Sequence, residues 1–73
     1  MLSESHPGRM SQAYRRVRTR AAEVLGSGSA AEDYMHTRNF ALGGATPMEL
    51  LAQAGGESSI MRELDAAEGG GPV

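Results

Sequence analysis

The sequence predicts an all-α fold, a compact bundle of about four short helices with glycine-rich corners. Three observations predict it. Apolar residues recur at three- and four-residue steps, as one face of a helix requires. Ser or Thr precedes the periodic stretches and Gly follows them, the usual marks of helix starts and stops. No stretch alternates apolar and polar residues in the period of a half-buried strand.

The elements follow in order. Residues 1–10 are polar and without period, carry His6-Pro7-Gly8, and read as a flexible leader. From Ser11, an N-cap candidate, Tyr14, Val17, Ala21 and Val24 or Leu25 form an apolar stripe that Gly26 ends. Arg15, Arg16, Arg18, Arg20 and Glu23 fill the other side of this first helix, and Ser27-Gly28 makes the turn. Ser29 and Glu32 have the spacing of a capping box, which opens a second helix with Ala31, Tyr34 and Met35 on its apolar face. Arg38-Asn39 ends it.

Next comes a corner. Leu42 leads into Gly43-Gly44, a pair free to take positive φ. Thr46 caps the third helix, Pro47 suits its first turn, and Glu49 can reach back to the cap's N–H. That helix covers 47–54, with Met48, Leu50 and Leu51 on its buried side, and Gly55-Gly56 breaks it. A fourth helix starts near Ser58 or Ser59 and puts Ile60, Leu64 and Ala67 on one stripe, with Met61 beside it. Gly69 to Gly71 end it, so the domain spans 11–69 and residues 70–73 form a flexible tail.

Composition bounds the function. Seventy-three residues make one small domain, able to bury only about 60% of its unfolded surface. Leu, Ile, Val and Phe together number 11, while 11 Ala and 5 Met fill part of the gap. The expectation is a domain of marginal stability, helped by a partner or by homo-oligomer formation. Zero Cys excludes disulfides, thiol catalysis and thiolate metal sites. No apolar run approaches the roughly 18 residues of a membrane span, and no signal-peptide core is present, so a cytoplasmic protein is expected.

The string from Leu42 to Leu51, Leu-Gly-Gly-x-Thr-Pro-x-Glu-Leu-Leu, resembles the toxin-binding domain of the Xre/MbcA/ParS antitoxins. In that family an aromatic-Leu pair and an Asn precede the Leu-Gly-Gly turn, and a Gly leads into the last helix. Here Tyr34-Met35 stand where Trp-Leu is usual, and Asn39, Leu42, Gly43, Gly44, Thr46, Pro47, Leu50 and Leu51 match. Gly56, Leu64 and Gly69 then follow at about the family's intervals. The resemblance spans roughly 13–69. Upstream of it there is no room for the helix-turn-helix that Xre-type members carry, so operator binding is not carried over.

Candidate sites are weighed against plainer roles. The four arginines at 15–20 can contact phosphate, yet the solvated side of a helix explains them more simply. A formal net charge of −2 and the absence of an aromatic platform argue against nucleic acid. His6 and His36 share no metal-ligand spacing, and no metal or cofactor is expected. Glu57, Glu63 and Asp65 read as charged helix faces and not as an acid–base pair. Gly43-Gly44 lacks the strand and spacing of a dinucleotide-binding turn. Met10, Met35, Met48 and Met61 either fill core gaps or adapt to a partner.

The residues alone therefore suggest a binding domain without a catalytic constellation. The resemblance implies the partner, a RES-type toxin that degrades NAD, neutralised by occlusion of its active site. It also implies the binding segment: Glu63, Asp65, Glu68, Gly69, Gly70, Gly71, Pro72 and Val73. Leu42, Gly43, Gly44, Thr46, Pro47, Glu49 and Leu51 are expected to be structural. The alternatives are an inhibitor or adaptor of phage or plasmid type acting on an unrelated protein, or a small nucleic-acid-associated regulator using the arginine face.

Overall fold

A computed structural model describes residues 5–69, with side chains from Ser11 onward. Four α-helices, α1 (Ser5–Leu25), α2 (Gly28–His36), α3 (Pro47–Leu51) and α4 (Gly56–Gly69), follow one another, with a 3-10 turn at Phe40–Leu42. The all-α architecture is the one the sequence predicts. Among the described residues the only β-type pairing is an isolated bridge between Asn39 and Ala45.

The long helix α1 is the platform, packing against α2, α3 and α4. Val17 and Ala21 of α1, Ala31 and Met35 of α2, Leu51 of α3, and Ile60 and Leu64 of α4 form one buried core. The spacing of these residues within each helix is four, the step that stacks side chains on one face. Met48 and Met61 lie half-buried against this core, so three of the four methionines in question pack inward. The side chain of Met10 lies outside the described residues.

Several boundaries differ from expectation. Helix α1 begins at Ser5, so 5–10 is helical backbone where a leader was expected, and it passes through Ser11 without capping there. Pro7 falls in the first turn, where no helical N–H is required, and therefore does not stop the helix. Residues 1–4 and 70–73 lie outside the described residues.

Gly26 ends α1 as expected, at φ +99°. The cap of α2 is Ser27 and not Ser29: Ser27 Oγ accepts from Ala30 N at 3.0 Å. Ser27-Gly28 is therefore the start of the helix instead of a turn, and Glu32 is released from capping. Helix α2 ends at His36, two residues before the expected Arg38.

Helix α3 stops at Leu51, short of 54, and α4 starts at Gly56, ahead of Ser58. Gly56 does not merely break a helix. A Cβ built there would stand 1.7 Å from the Leu50 carbonyl oxygen, so the close approach of α4 to α3 requires glycine. Ala67 shares the stripe of Ile60 and Leu64 but is exposed, so the buried part of that stripe ends at Leu64.

Candidate partner-binding site

Three arginines of α1 pin the other helices. Arg16 donates from Nε and Nη2 to Glu57 of α4, at 2.6 and 2.8 Å. Arg18 donates to Glu32 of α2 at 2.7 Å and to the Gly28 carbonyl at 3.3 Å. Arg20 donates to Asp65 of α4 at 3.0 and 3.2 Å, to Glu23 at 3.2 Å, and also to Glu68. These arginines are therefore not simply a solvated side. Their carboxylate partners raise the pKa of each guanidinium still further, so the charges persist at all ordinary pH.

The pairs act on the acids as well. Arg18 is the largest cause holding Glu32 below the ordinary carboxylate value, with Tyr14, which donates to both its oxygens at 3.1 Å, the next. Arg16 does the same for Glu57. Exposed His36 puts Nε2 3.5 Å from Glu32 Oε2. Among the described residues, no group of three or more His, Cys, Asp or Glu is arranged to hold a metal ion.

The proposed binding acids split across α4. Asp65 and Glu68 face α1 through Arg20. Glu63 faces α2, where it accepts from the Tyr34 hydroxyl at 2.7 Å. Burial and then this carboxylate push the Tyr34 phenol well above its usual pKa. Gly69 is the last residue of α4, and Gly70, Gly71, Pro72 and Val73 lie outside the described residues. Helical spacing could have shown the split, because 65 and 68 are three apart while 63 belongs to another stripe. What it could not show is which helix stands opposite.

The corner forms by two nested hydrogen-bond sets. Thr46 Oγ1 accepts from Glu49 N at 3.1 Å and Glu49 Oε1 accepts from Thr46 N at 3.0 Å, the reciprocal box the sequence predicts. Upstream, Asn39 does more than mark a position. Its Oδ1 accepts from Ala41 N, its carbonyl from Leu42 N and Gly44 N, and its N–H donates to Ala45. Gly43 and Gly44 take φ of +75° and +87° to complete the reversal. The result exposes Phe40 almost completely, at 98%. Sequence reasoning missed this, since a turn phenylalanine is as readily tucked inward.

This geometry occupies the segment that comparison with known families selects. Residues 20–70 match the model of the antitoxin Xre/MbcA/ParS C-terminal toxin-binding domain, well over half of the chain. The chain belongs to this family. The whole corner, the core residues of α2, α3 and α4, and the Arg20 clamp lie inside the match, while residues 5–19 of α1 precede it. Comparison with curated proteins and with solved structures finds no match.

Within the family segment, Met35 is fully buried and Tyr34 is half-buried. Among the described residues, no helix is long and apolar enough to cross a membrane.

Proposed function

We propose that the chain is the toxin-binding domain of an antitoxin that neutralises a RES-type, NAD-degrading toxin by occluding its active site. Membership of the antitoxin family over residues 20–70 carries this reading. The chain's part is binding and not turnover: it supplies a rigid body and a C-terminal segment that covers the cleft.

The fold supports a mechanism of this kind. Arg20 ties the last turns of α4 to α1 through Asp65 and Glu68, so the end of that helix is held in place before binding. A glycine-rich segment such as 69–73 suits a narrow passage, at an entropic cost on ordering. Asp65 and Glu68, once released from Arg20, would meet the basic groups with which a dinucleotide cleft holds pyrophosphate.

The nucleic-acid reading loses ground by the same geometry. Arg16, Arg18 and Arg20 each already hold carboxylates, and a phosphate would have to displace these.

The test is an NAD-consumption assay with a RES-domain toxin, titrating the chain against it. Protection of NAD that saturates at a fixed stoichiometry is expected. Undiminished consumption at a large excess of folded chain overturns the reading.

A further inference from the structure

An exposed apolar side chain is ordinary by itself. Phe40 differs in how it is held and in what lies beside it. Asn39 caps the turn that carries it, and the Gly43 N–H donates to its carbonyl at 3.1 Å. The chain's one phenylalanine is thus presented on a preorganised backbone, at 98% exposure.

Beside the turn runs a groove of about 520 Å³, with Leu42 and Leu50 on one wall and Ser59, Arg62, Glu63 and Ala66 of α4 on the other. Leu42 and Leu50 are half-buried, packed on the core and facing the groove. The α4 wall has the spacing i, i+3, i+4, i+7, a continuous helical stripe. Its next member within the helix is Gly69. Asp65 and Glu68 are turned from the groove toward Arg20.

Charge indicates what covers the groove. Arg62 is exposed on its rim and pairs with no carboxylate among the described residues. Glu63, the acid on the same wall, is already engaged by Tyr34. Among the described residues the rim thus offers one cation without an ion-pair partner, Arg62, beside an apolar floor.

Resting on the antitoxin reading above, we infer that the corner and α4 stripe form the docking surface for the toxin, with Phe40 as its anchor. The complementary toxin surface is an amphipathic helix that lays apolar side chains over Leu42, Leu50 and Ala66 and sets a carboxylate against Arg62. Beside it lies an apolar pocket that receives the Phe40 ring. A rigid aromatic ring on a preset turn loses little conformational freedom on binding, which is the usual property of an interface hot spot.

The experiment measures binding of the full chain to a catalytically weakened RES-domain toxin, together with sedimentation of the chain alone. Phe40→Ser should keep the wild-type melting temperature, because the ring touches solvent, and weaken binding by about 30-fold or more, the hot-spot range. Arg62→Glu should slow association and reverse its salt dependence. Wild-type binding with both variants within twofold of it overturns the docking surface and leaves the proposed function standing. A wild-type chain that does not bind the toxin overturns both. A Phe40→Ser variant that abolishes self-association but binds toxin normally assigns the surface to a second copy and overturns the inference.

Discussion

Arg18 of α1 donates to Glu32 of α2 at 2.7 Å, across 14 residues of sequence. Tyr14, one turn earlier on α1, donates to the same carboxylate. Glu32 is therefore the hinge-pin between the first two helices and not the capping residue its spacing suggests. It became available for this because α2 starts at Gly28, under the cap of Ser27.

This pairing makes stability acid-sensitive. The folded chain lowers the Glu32 and Glu57 pKa values from their ordinary 4.5. A carboxylate with a lower folded than unfolded pKa binds fewer protons when folded, so its contribution is complete above the unfolded value and is lost as pH falls through the folded one. Melting temperature should therefore drop from about pH 5 downward, and added salt should reduce the effect because both acids are partly exposed. Glu32→Gln should lower the neutral-pH melting temperature and flatten the fall. An identical slope in the variant would place the acid sensitivity elsewhere.

Gly56 should be the least replaceable residue of the chain. Its missing Cβ is filled by the Leu50 backbone carbonyl, which cannot swing aside as a side chain can. Gly56→Ala should cost about 3 kcal/mol, the upper part of the overpacking range. Gly43→Ala, strained only by φ +75° with open space around it, should cost about 1 kcal/mol. Chemical denaturation of the pair checks the order, and equal losses would show that α4 can slide from α3 freely.

The capping box should act locally and the leucine globally. Thr46→Ala removes the acceptor for Glu49 N and should cost about 1 kcal/mol. Leu51→Ala, at a buried core position with 9% exposure, should cost about 2–5 kcal/mol. Thermal melts unmoved by either change would show that the corner does not hold the fold.

Removal of the C-terminal segment separates body from tail. Deleting residues 69–73 should leave helix content by circular dichroism nearly intact, since α4 is anchored by Ile60, Leu64 and the Arg20 pairs. If the segment enters the toxin's cleft, the truncated chain should protect NAD less well at equal concentration. Glu68→Lys should weaken protection further by placing a cation beside Arg20 and before the basic cleft. Equal protection by the truncated chain would assign occlusion to the helices alone.

Much of the fold was legible in local signals. Gly26, the Thr46-Pro47-Glu49 box, and the apolar pairs of α2 and α4 follow from cap chemistry and helical period, which act within a few residues. The family motif was legible for the same reason, because its corner is built almost wholly from neighbours in sequence. Helix starts were less so. Ser29, with Glu32 three residues on, has the spacing of a capping box and reads as the cap of α2, whereas in the fold Ser27 Oγ accepts from Ala30 N and Glu32 turns to Arg18 on the facing helix.

The sequence by itself determined the all-α class, the corner and the family, since each rests on short-range chemistry. The tertiary structure alone decided how the charges are used. It placed Arg20 against Asp65 and Glu68, 45 and 48 residues away, and left Phe40 in solvent beside an apolar groove. Those relations depend on which helix faces which, and that is set by how four stripes share one small core. No local pattern encodes it.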